Sequence, residues 1–225
     1  VNFKGGTNNE LHAGTLGVKN KSNLDINAAG VTINTLLIDD DINQTIINGI
    51  SWQKADIRLT SFHSQAKSKP VTFHLKEIVG ANTNLLLSDS GKKFSLHLKE
   101  LSADEISTMA EGKPIVKGLK TSGSDLQMTN RGLQLNIDNI QVADHQLSIL
   151  NNFAIRKTNE YDCLNVRIPK LEFEPDINTI IKGNINTANV RLVRPDIQIH
   201  LNRTGKGNSM AKPLIFPQTS VSSLV

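Results

Sequence analysis

The side chains with ligand chemistry are six histidines, one cysteine and a short acidic run. His74 and His97 stand in matched hexapeptides, Phe73-His74-Leu75-Lys76-Glu77-Ile78 and Leu96-His97-Leu98-Lys99-Glu100-Leu101, each facing outward between apolar residues. Two imidazoles could begin a metal site, but no third ligand accompanies them, and a lysine follows two residues after each. His12, His63, His145 and His200 are isolated in the same way. The run Asp39-Asp40-Asp41 has the charge for calcium but lacks the glycine and closing glutamate of a calcium loop, so it reads as a solvated turn. Cys163 precedes the apolar run Leu164, Val166, Ile168 and reads as a strand residue rather than a nucleophile; alone, it can form no internal disulfide. Hydrolase elbow, zincin pair, phosphate loop and dinucleotide fingerprint are all missing, and Gly205-Lys206-Gly207 is a lone G-x-G. Asp104, Glu105 and Glu111 fit a helix cap and its polar face, while Glu172 and Glu174 flank Phe173 and should face solvent. The reading is of a non-catalytic chain with no metal and no cofactor.

Composition agrees. The net charge of +4 is spread along the sequence, and one Trp, one Tyr and scattered Phe make no stacking platform, which excludes nucleic acid as the expected partner. Hydrophobic residues are 38% and aromatics 4%, so the buried face must be aliphatic and thin, better suited to a one-sided core than to a thick sandwich. No apolar run is long enough to span a membrane. The chain opens on Val1 without a signal peptide and reads as part of a longer protein, with flanking domains and any anchor outside it.

The elements behind these side chains follow one rhythm: apolar at i, i+2, i+4 and then i+7. Clean copies are Val71-Phe73-Leu75-Ile78, Phe94-Leu96-Leu98-Leu101, Leu133-Leu135-Ile137-Ile140 and Leu164-Val166-Ile168-Leu171; looser ones start at Ala29, Ala55 and Ile181. Alternation marks a strand with one buried face. A three-residue step should throw the second half onto the opposite face unless the strand bulges or turns a corner there. The pairs at the step include Lys76-Glu77, Lys99-Glu100 and Pro169-Lys170, which are poor tight-hairpin turns, so long bent strands are predicted. Ser102-Ala103-Asp104-Glu105 has the form of a capping box, and with Ile106, Met109, Ala110 and Gly112 it predicts one short helix near 103–111. The fold class is therefore all-β: long bent antiparallel strands and one short helix. One β domain spans 1–203, and 204–225, with Gly205, Gly207, Pro213 and Pro217, reads as a linker or tail.

The stretch Ile185 to Leu201, with its Arg194-Pro195-Asp196 corner, followed by Asn202-Arg203-Thr204-Gly205-Lys206-Gly207-Asn208, resembles a phrase of AsmA-like proteins: strand, x-Pro-x corner, strand, polar turn. Val190, Leu192, Pro195, Ile197, Ile199, Gly205 and Asn208 are the matching positions, and the upstream rhythm is similar to that family too. The resemblance implies a curled, taco-like sheet or open β-roll in the periplasm or cell envelope of a diderm bacterium, with a concave apolar face that holds phospholipid acyl chains. Candidate groove residues are Phe73 and Leu75; Phe94, Leu96 and Leu98; Leu133, Leu135 and Ile137; Val166 and Ile168; and Val190 and Leu192. The same residues could instead form the sealed core of a structural or adhesive β domain that contacts proteins or glycans through its loops.

Overall fold

The computed structural model describes residues 11–19, 24–39, 44–60, 72–108, 114–158, 162–201 and 219–221. In chain order these form β1 (Leu11–Lys19), β2 (Leu24–Asp39), β3 (Gln44–Trp52), β4 (Lys54–Thr60), β5 (Thr72–Asp89), β6 (Lys92–Thr108), β7 (Pro114–Lys117), β8 (Lys120–Asn130), β9 (Leu133–Ala143), β10 (Ser148–Thr158), β11 (Asp162–Pro175), α1 (Ile177–Ile181), β12 (Ile185–Val193), β13 (Asp196–Leu201) and β14 (Thr219–Val221). All fourteen strands belong to one sheet, ordered β1-β2-β3-β5-β6-β8-β9-β10-β11-β12-β14. The other three strands extend their neighbours in unchanged register: β4 carries β3 past Gln53, β7 leads into β8, and β13 carries β12 past the Arg194-Pro195 corner. The all-β class stands, but the pairing is mixed. The β3–β4 line runs parallel to β5, and β14 runs parallel to β12. β14 also returns Thr219–Val221 of the expected tail to the sheet; the rest of 204–225, like Asp40, Asp41 and His63, lies outside the described residues.

The three-residue steps are corners inside continuous strands. Single residues with left-handed backbone interrupt the strands: Glu77 within the 75–78 step of β5, and elsewhere Gly30 in β2, Gly49 in β3, Asn82 in β5, Asp125 in β8, Asn152 in β10 and Asn189 in β12. In β5, β9 and β10 the pairing register is unbroken through the corner, so no residue is inserted there, while β6–β8 and β11–β12 slip locally. Gly tolerates this backbone without cost, and Asn and Asp tolerate it well. Glu77, at φ 51°, corrects the expectation that Lys-Glu avoids positive φ. One left-handed residue can be borne where the ladders on both sides hold it, although two in a row would have been needed for a hairpin. The corners line up across strands. Asp125, Asp138, Asn152, Pro169 and Arg194 fall on one transverse row, and every second member is left-handed. Pro169, with no N–H to donate, sits in the row where Asn152 finds no ladder partner.

Because the strands turn there, apolar residues on both sides of a step meet. Leu98, Ile137 and Ile140 form a buried cluster, with Leu96, Leu101, Leu126, Leu135 and Phe153 packed on it. Gly123 makes this possible: it lies between Leu98 and Ile140 in the cross-strand row, and the space for a Cβ is already filled by the His97 carbonyl and Leu98 Cα.

The helix predicted near 103–111 is not formed. Ser102–Thr108 is the end of β6, hydrogen-bonded to β5 on one side and, over Glu105–Thr108, to β7 on the other. A capping box contributes about 1 kcal/mol, and ladders on both flanks with buried Ala103 and Ser107 outweigh it. Glu105 turns outward to Lys117 and His74 instead of capping Ser102. The helix is α1, whose last residue, Ile181, reads in the sequence as the start of a strand copy. Asp176 caps it, accepting from Thr179 N at 3.0 Å and Thr179 Oγ1 at 2.6 Å. Ile181 and Gly183, the start of the loosest rhythm copy, belong to α1 and its closing turn.

Candidate functional site

The two faces of the sheet differ in kind. On the polar face, Asn84 Nδ2 donates to Asp56 Oδ1 at 2.7 Å and Asn84 Oδ1 meets His97 Nδ1 at 2.8 Å. This chain borders a depression of about 350 Å³, also lined by Arg58, Asp125 and Gln127. His74 lies elsewhere on that face, 3.2 Å from Glu105 Oε1, so the matched histidines do not converge. Glu105 also accepts from Lys117 Nζ at 2.7 Å, and that bond, followed by the one to His74, holds its carboxyl down to about 2. Glu172, expected to face solvent, is mostly covered and lies between Lys170 and Arg191, which hold its pKa below the usual carboxylate value, Lys170 the more strongly.

Asp144, His145 and Asp176 are close enough together to ligate an ion. Their carboxylates already have partners: Asp144 Oδ1 accepts from Ile177 N at 3.0 Å, and Asp176 caps α1. The hydrogen bonds from Thr179 hold Asp176 below the ordinary carboxylate range. The cluster is accounted for as the junction of the β9–β10 turn with the helix.

The apolar face is the larger feature. One row can be followed through nine strands: Leu24 opposite Leu59, Leu59 beside Leu87, Leu87 opposite Phe94, and Phe94 opposite Met128. It continues from Met128 to Leu135, Ile155, Val166 and Ile197. At about 4.8 Å between strands it measures about 38 Å along the sheet. Its members are half-buried from Leu24 to Val166, and Ile197 is 55% exposed. Residues of a sealed two-layer core would be almost fully covered. Among the described residues no second sheet lies over this face, and the only helix is five residues long at one end.

The twelve groove candidates are distributed over this face. Phe94, Leu135 and Val166 are in the nine-strand row, Leu96 is next to it, and Leu133 is in the row at the hairpin end. Phe73 and Leu75 lie at the far end, where Leu75 is between Ile47 and Ile106. Leu192 is opposite Leu171, and Val190 is at the irregular pairing beside Phe173. Leu98, Ile137 and Ile168 are 6%, 4% and 5% exposed, so they support the face from beneath rather than line it. Sequence reading did not name Leu24, Leu59, Leu87, Met128, Ile155 or Ile197 as groove residues. Their alternation was visible, but their alignment in one row depends on register between strands distant in sequence.

These features define a class: an all-β protein built on one creased, two-faced sheet. No family model, curated protein or solved structure matches the chain, so the functional reading rests on the two faces themselves.

Proposed function

We propose that the chain is a non-catalytic lipid-binding domain that holds acyl chains along its apolar face. The observation that carries this reading is the nine-strand row of large apolar side chains left half-covered or exposed. A contiguous apolar row of this length marks an interaction site, and hydrocarbon needs only dry apolar area. Half-burying a chain of about 16 carbons releases about 6 kcal/mol, at about 0.8 kcal/mol per fully buried CH₂, before the cost of association. The resemblance of Ile185–Asn208 to AsmA-like proteins supports the same reading and implies one segment of a lipid-carrying protein of a bacterial envelope. No helix among the described residues is long and apolar enough to cross a membrane.

The test uses neighbouring residues on opposite faces. Leu135→Asp puts a charge in the row, and Asn136→Asp puts the same charge on the polar face. Native mass spectrometry after exposure to phospholipid vesicles should find lipid on the wild type and on Asn136→Asp, but not on Leu135→Asp. Wild-type protein that takes up no lipid would overturn the proposal.

A further inference from the structure

Among the charged residues at the hairpin edge of the apolar face, Lys157 is flanked by aliphatic neighbours on both sides. The last row before the hairpin turns runs Asp89, Lys92, Asn130, Leu133, Lys157, Leu164 and Ile199, on the same face as the nine-strand row next to it. Lys157 is directly opposite Leu133 on one side and Leu164 on the other, and Leu164 is only 8% exposed. The lysine is half-buried, and its ammonium has no hydrogen-bond or ionic partner among the described residues. A lysine so placed lays its methylenes over aliphatic neighbours and carries its charge to the open end. The wider rim agrees. Among the described residues, Lys92, Lys93, Arg131, Arg156 and Lys157 lie toward the hairpin end, with Asp89 and Asp162 as the acids there. The opposite end carries acids and bases together: Glu105, Asp144, Glu174 and Asp176 with Lys117, Lys120 and Lys182.

We infer that the hairpin end is a headgroup site: the ligand is an anionic amphiphile whose chain lies on the Leu135–Ile155–Val166 part of the row and whose phosphate or carboxylate is held by Lys157, with Arg131 in the neighbouring turn and Lys92 three strands along the same row. The inference rests on the acyl-chain reading and adds the charge, the orientation and the end of entry. Charge complementarity selects this occupant. A fully apolar ligand gains nothing from the lysine, and a free anion gains nothing from the row. Asp89, opposite Lys92, weakens that residue's part, which leaves Lys157 as the main contact.

The experiment compares dodecyl phosphate with dodecyl maltoside, each below its micellar concentration, on the full chain. Dodecyl phosphate should bind at least about fivefold more tightly than the maltoside at low salt, the effect of one lysine near an anionic headgroup. Raising the salt should shrink the ratio. Lys157→Met should abolish most of it with maltoside binding unchanged, which also reports that the variant is folded. Arg156→Met, at the same end but on the polar face, should leave at least half of it. Inorganic phosphate should compete only weakly. Equal affinity for the two amphiphiles, equal losses in the two variants, or full competition by inorganic phosphate would overturn the headgroup site while leaving the apolar face as a binder. Failure of both amphiphiles to bind would instead sink the acyl-chain reading, and the headgroup site with it.

Discussion

Gly123→Ala tests the creased-sheet geometry through the sign of one number. Gly123 is not among the residues with positive φ, so alanine meets no backbone objection there. In an open strand the substitution would stabilise by about 0.4–1 kcal/mol, because alanine has less freedom to lose on folding. The structure predicts the reverse. The new Cβ would collide with the His97 carbonyl oxygen, and would sit 3.1 Å from Leu98 Cα and 3.2 Å from His97 carbonyl carbon. All three are backbone atoms, which cannot rotate away as a side chain would. The β6–β8 pair must spread, and Leu98 and Ile140 lose the close approach that Gly123 allows. Overpacking costs about 1–3 kcal/mol. Offset by the entropic gain, the net loss is about 1–2 kcal/mol, or about 2–8 °C in Tm for a domain of this size. Thermal unfolding followed by circular dichroism measures it. Gly91→Ala is the matched control: the space around Gly91 is open but its φ is 87°, so its cost of about 1 kcal/mol is conformational, and asparagine should recover part of it. A Gly123→Ala protein as stable as the wild type, or more so, would refute the claim that the sheet folds tightly over this glycine.

Other expectations follow from single contacts. Glu77→Gly removes the left-handed strain of a non-glycine residue and should raise stability by about 1 kcal/mol, seen as a higher urea midpoint. Thr83 is 2% exposed and accepts from Trp52 Nε1 at 2.7 Å, so Thr83→Val should cost about 1 kcal/mol and shift the emission of the only tryptophan. Glu105 has a folded pKa of about 2 against an ordinary 4.5, so its ion pairs stabilise fully above about pH 4.5 and are lost as pH falls from there toward 2. Discounted for solvent screening, the contribution is about 1 kcal/mol; Glu105→Gln should therefore melt below the wild type at pH 7, and the gap should close toward pH 2. Asp176→Ala should cost about 1 kcal/mol through loss of the α1 cap, measured as a fall in Tm.

Much of the architecture was legible because it is written in period. The two-residue alternation named the strands, and the three-residue steps at 75–78, 137–140 and 168–171 named the corners, since hydrophobic residues stay on one side only if the backbone turns there. The helix was misread because a cap is a local signal of about 1 kcal/mol. Ser102-Ala103-Asp104-Glu105 carries that signal inside a segment flanked by hydrogen-bonding neighbours, whereas Asp176-Ile177-Asn178-Thr179 carries it where β11 ends.

The sequence alone determined an all-β chain of bent strands with one aliphatic and one polar face, because side-chain alternation is a property of each strand by itself. Tertiary structure alone decided which strands neighbour one another, the parallel pairing of the β3–β4 line with β5, and the alignment of Leu24 through Ile197 into one row. It alone put Lys157 between Leu133 and Leu164 on the apolar side. Register couples residues tens to more than a hundred positions apart. It is fixed when whole faces and corners are buried together, which no single strand's pattern encodes.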